Sequence, residues 1–148
     1  MNRIKRFEFF WADAWGVVIY GYNLSSEISD NNDIIIKVSL NKHKQKIVLN
    51  SQKENEFIDD MNFIINWNDK MYSNPFVLDG TMWHLIFDYD DVHVVSSGGN
   101  GYPSDFVKFL ELLHQKYKVP KAEIEDIQEI KNFTKETKIT PLNKYRSI

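Results

Sequence analysis

Two periodicities divide the chain. Over the first fifty residues apolar side chains recur at every second position, the spacing of strands with one covered face. In "IKRFEFFW" (4–11) Phe7, Phe9 and Trp11 fall on one side, with Arg6, Glu8 and Phe10 on the other. The run "VVIYGY" (17–22) reads as its hairpin partner, and the polar "NLSSEISDNND" (23–33) as a surface loop rich in turn-forming residues. In "IIIKVSL" (34–40), Ile34, Ile36, Val38 and Leu40 oppose Ile35, Lys37 and Ser39. "NKHK" turns the chain, and "QKIVLN" returns with Ile47 and Leu49 on one side, a second antiparallel pair.

From residue 51 the period lengthens. Phe57, Ile58, Met61, Ile64 and Ile65 recur as on one face of an amphipathic helix. Ser51 and Glu54 have the spacing of a capping box, which places Glu54, Asp59 and Asp60 toward solvent. "NWNDKMYSNPFVLDG" is then an irregular connection ending in the turn pair Asp79-Gly80.

"TMWHLIFDY" groups Trp83, Leu85, Phe87 and Tyr89, with His84, Ile86 and Asp88 behind them. A two-residue turn at Asp90-Asp91 sets Asp88 opposite His93, Phe87 opposite Val94 and His84 opposite Ser97. A second helix starts at Pro103 or Ser104 and carries Phe106, Phe109, Leu110, Leu113 and Tyr117 on one face. Pro120 closes it; Ile124, Ile127 and Ile130 are spaced for one further short helix. From Thr134 onward too few apolar residues remain to bury much, so 134–148 reads as a flexible tail behind a single domain, 1–133. The expected fold is α+β: a mainly antiparallel sheet of about six strands, built from successive hairpins and packed against two main helices.

Composition narrows the chemistry. The chain has no cysteine, which removes disulfides, zinc–thiolate centres, iron–sulfur clusters and thiol nucleophiles, and fits a reducing cytoplasm. A net charge of −3, mixed in sign, calls for neither nucleic acid nor a membrane as partner. Glu8 and Asp13 interrupt the apolar run behind Arg3, Lys5 and Arg6, so the start reads as a strand rather than a leader. Aromatic residues make up 14% of the chain, enough to build either a ring-filled core or a recognition surface. Candidate contact residues for the latter are Trp11, Trp15, Tyr20 and Tyr22.

"SSGGNGYP" (96–103) sits between a strand and a helix, where a phosphate cradle would sit. It lacks the spacing of a dinucleotide fingerprint and the Lys-Ser or Lys-Thr of a P-loop, and Pro103 offers no N–H to an anion. It reads as a turn in which Gly98, Gly99 and Gly101 supply positive φ. His84 and His93 share a hairpin face but lie four steps apart, roughly 13 Å, too far to share a metal. Asp88 opposite His93 is a nearer pair without a nucleophile beside it. The basic stretches "RIKR" and "NKHKQK" lack the glycine–aromatic signature of an RNA-stacking sheet and read as edge protection. No cofactor or metal is called for.

Residues 67–110 resemble a widespread group of small, uncharacterised bacterial proteins, mostly Gram-positive. The shared features are Asp79-Gly80, Trp83-x-Leu85, an acidic hairpin, Gly98 and Gly101 before Tyr102-Pro103, and a helix with Phe106. These are folding features, covering about a third of the chain. Some similar proteins look like immunity or accessory components of bacterial conflict systems, which implies a protein partner. Two readings follow. One is a non-enzymatic protein-binding module; the other is a ligand-binding protein or enzyme with a pocket near Asp88, His93 and the glycine turn.

Overall fold

The computed structural model describes residues 3–13, 21–76 and 80–142. The chain is α+β. Its strands are β1 (Ile4–Asp13), β2 (Tyr22–Ile28), β3 (Ile34–Leu40), β4 (His43–Leu49), β5 (Lys70–Ser73), β6 (Thr81–Tyr89), β7 (Val92–Gly99) and β8 (Lys138–Pro141). They form one sheet in the order β4-β3-β2-β1-β6-β7-β5-β8, antiparallel throughout except for β5 on β7. The helices are α1 (Ser51–Met61), continued by a 3-10 segment (Asn62–Trp67), α2 (Phe106–Gln115) and α3 (Ile127–Glu136). Among the described residues the sheet therefore has eight strands of mixed direction rather than about six, while the two main helices are joined by the further short one expected around Ile127 and Ile130, here α3. No helix among the described residues is long and apolar enough to cross a membrane.

The alternation along the strands decides which face is covered. Phe7, Phe9 and Trp11 of β1, Ile34, Ile36 and Val38 of β3, and Trp83, Leu85 and Phe87 of β6 are all buried. Against them lie Phe57, Ile58 and Met61 of α1, Phe106, Phe109 and Leu110 of α2, and Ile130 of α3. Phe106 is the hub, 5.2 Å from Trp83, 5.4 Å from Trp11 and 4.8 Å from Tyr102 between ring centroids. A bulge in β1 between Ile4 and Arg6 keeps Ile4 and Phe7 on the covered side although they are three residues apart.

The hairpin of β6 and β7 has the expected register, with Asp88 on His93, Phe87 on Val94 and His84 on Ser97. Three local expectations need correction. The polar stretch 23–33 is mostly strand: Asn23 to Ile28 belong to β2, and only residues 29–33 turn. Its outward positions are polar because that face is uncovered. The connection 66–80 contains β5, four residues long and held between β7 and β8. Residues 134–141 are ordered structure, the end of α3 followed by β8, whose continuation Leu142 donates its N–H to the Asp69 carbonyl at 2.8 Å.

The helix starts differ as well. Asn50, not Ser51, caps α1, its side chain accepting the Lys53 N–H at 2.9 Å. Glu54 is buried instead of solvated; its carboxylate accepts the Ile4 N–H at 2.7 Å and lies 3.2 Å from Arg3 Nε. It thus joins the first strand to the first helix. α2 begins at Phe106, after Pro103 has accepted the Phe106 N–H in a preliminary turn.

Candidate functional site

The aromatic candidates resolve toward the core. Trp11 and Tyr22 are fully buried and stack on each other at 5.8 Å with an interplanar angle of 11°. Neither presents a ring to a partner. Trp15, Tyr20 and Asp79 lie outside the described residues.

The glycine stretch is neither a cradle nor a positive-φ turn. Gly98 and Gly99 are the last residues of β7, and among residues 98–101 it is Asn100 that takes a positive φ, of 55°. Gly98 faces the indole of Trp83, whose Nε1 donates to the Gly101 carbonyl at 2.9 Å, and a Cβ on Gly98 would meet that nitrogen at 2.1 Å. The glycine is required by contact rather than by torsion. Gly80 is the position that needs its freedom: at φ 143° it lies against the Asn100 side chain, which accepts the Thr81 N–H at 2.9 Å. Tyr102 is buried beside Pro103 and shares a 2.8 Å hydrogen bond with Thr81; burial pushes its hydroxyl up to about 12.

Asp88 and His93 do pair, through Oδ1 and Nδ1, but the His93 side chain is 66% exposed on the uncovered sheet face. Trp83 pairs with Gly98, five registers from the Asp88–His93 pair, so the hairpin's acid–base pair and its glycines lie roughly 16 Å apart along the strands. Among the described residues, then, those groups do not converge on one site. Among the described residues no three histidine or carboxylate side chains are placed to hold a metal ion.

A buried polar cluster escaped the sequence reading. His114, near the end of α2, has its Nδ1 2.7 Å from the Val119 carbonyl and its Nε2 2.7 Å from Glu125 Oε2. Both ring nitrogens face acceptors, which fits the doubly protonated imidazolium. Burial works to lower the His114 pKa, but the hydrogen bonds to Glu125 and to the Val119 carbonyl outweigh it and leave it raised. Tyr22 donates to Glu125 Oε1 at 2.5 Å and accepts the Ala122 N–H at 2.9 Å; burial, then the Glu125 charge, pushes its phenol well above the ordinary range. The Glu125 side chain is fully buried. These hydrogen bonds tie the 116–126 connection to α2 and β2.

What the described residues leave open is the sheet face opposite the helices. Phe10, Ile35, Ile86 and Val95 are half-buried there, alternating with Glu8, Lys37, His84 and Ser97. His84 Nδ1 lies 2.8 Å from Ser97 Oγ across β6 and β7. On the β2–β3–β4 side the face dips into a groove of about 510 Å³, lined by Asn23, Ser25, Lys37, Ser39, Lys44 and Lys46. Register explains the grouping: Lys37 is the direct partner of Lys46, and Ser39 of Lys44.

Comparison of the chain with protein-family models, with curated proteins and with solved structures finds no match in any of the three.

Proposed function

We propose that this protein is a non-enzymatic binding module that engages another protein through the uncovered face of its sheet, an accessory or immunity-type role of the kind its resemblance implies. The observation that carries the reading is the asymmetry of the sheet. The helices bury one face, while the other keeps half-buried Phe10, Ile35, Ile86 and Val95 in reach of solvent among mixed charges. Interfaces between proteins have this composition, apolar side chains within a polar surround. The absence of cysteine fits action in a reducing cytoplasm.

Affinity capture from the native host tests it, comparing the wild-type chain with Phe10→Lys and Ile86→Lys. A specific partner held by the wild type and lost from both variants, with thermal unfolding unchanged, is the expected result. Equal capture by all three chains, or no retained protein, would overturn it.

A further inference from the structure

Within that face, the lysine groove has a feature that ordinary surface charge does not require. Lys37 and Lys46 are directly opposite each other across β3 and β4, and Lys44 lies two residues along β4 on the same side. Like charges at directly paired positions repel and weaken a sheet. The residues lining the groove include no carboxylate. Among the described residues Glu27 alone is within ion-pair distance of these lysines, 2.9 Å from Lys37; Lys44 has only the Ser39 hydroxyl, at 2.6 Å. Lysine on an outermost strand deters sheet-to-sheet pairing, which accounts for Lys44 and Lys46 on β4. It does not account for Lys37 one strand further in, nor for Asn23 and Ser25 two strands in.

The geometry points to a binding site for an acidic, extended segment of a partner protein. This deepens the partner-binding reading and rests on it. Carboxylates entering the groove meet three ammonium groups, of which Lys37 alone has a carboxylate partner among the described residues, and the hydroxyl and amide side chains of Ser25, Ser39 and Asn23 suit a polypeptide's remaining polar groups. β4 ends the sheet, so an extended segment is able to pair along it while every second side chain falls on the lysine side. Nucleic acid is disfavoured by the chain's net charge of −3, which opposes a long polyanion over distances beyond the groove.

The test uses a labelled synthetic peptide alternating Glu with Thr, titrated against the full chain by fluorescence anisotropy at low and at moderate salt. The expected result is saturable binding that weakens with salt and falls at least about tenfold in Lys46→Glu and in Lys37→Gln. Lys121→Glu, outside the groove, is expected to bind as the wild type does. Lys46→Glu carries a second readout, because it turns a repelling cross-strand pair into an attracting one. Its urea midpoint is expected to stay level or rise while peptide binding is lost. Unchanged peptide affinity in both groove variants, or tighter binding of a single-stranded oligonucleotide of equal charge, would overturn the inference. Peptide binding that persists when Phe10→Lys and Ile86→Lys leave host capture intact would count against the wider reading alone.

Discussion

The Trp83 indole and Gly98 are cross-strand partners in direct contact, and the ring fills the space where any side chain on residue 98 would stand. A Cβ there would also fall 2.6 Å from the Gly101 carbonyl oxygen that Trp83 bonds. One glycine further, a Cβ on Gly99 meets nothing within 4 Å. Gly98→Ala is therefore expected to cost about 2–4 kcal/mol through forced repacking around the indole. Gly99→Ala is expected to be neutral or slightly stabilising. Urea denaturation of the two variants side by side checks this; equal effects would refute it.

Glu54 holds the Ile4 N–H from inside the core. Glu54→Gln keeps an acceptor near that N–H and is expected to cost about 1 kcal/mol, whereas Glu54→Ala strands the N–H and Arg3 together, at about 2–3 kcal/mol. Thermal unfolding measures the ranking. Hydrogen exchange at Ile4 supplies a local readout, faster in the alanine variant.

The His114–Glu125 contact makes stability depend on pH in a stated direction. The native His114 pKa is raised above the unfolded value of about 6.5, so between the two values the native state binds more protons. The stabilisation is complete below about 6.5 and is lost as pH rises through the raised native value. His114→Gln is expected to remove that decline. Unfolding free energies measured at a series of pH values, with an NMR titration of the ring protons, check both parts.

Truncation before Lys138 is expected to lower stability by about 1–3 kcal/mol, because it strips β8 from β5 and leaves Tyr72 at an edge. Limited proteolysis is expected to cut the truncated chain first within 66–76. A chain indifferent to the deletion would show β8 to be dispensable.

How far the sequence was legible follows from how local each signal was. β1, β3 and β6 alternate cleanly between Phe7 and Trp11, Ile34 and Leu40, and Trp83 and Tyr89, and the β6–β7 register followed from its turn. β2 was obscured because its only buried residues are Tyr22 and Leu24, while Asn23, Ser25 and Glu27 face the other side like loop residues. β5 and β8, at four residues each, carry too few positions to show a period. Glu54 was recoverable: it precedes Phe57, Ile58 and Met61 by three, four and seven residues, the spacing of their own face, and only its charge argued otherwise. The His114–Glu125–Tyr22 cluster depends on a contact between residues 103 apart in the chain and left no local pattern. The same holds for the lysine groove, where Lys37 and Lys46 meet only once register is known.

The position of β1 at the middle of the sheet has a consequence for how the molecule comes into being. β1 precedes its sheet partners in the chain, and β2 to β4 follow it within fifty residues, yet its other flank waits for Thr81–Tyr89. Closing so long an intervening loop to complete the centre of the sheet sets this chain among the topologies expected to fold slowly.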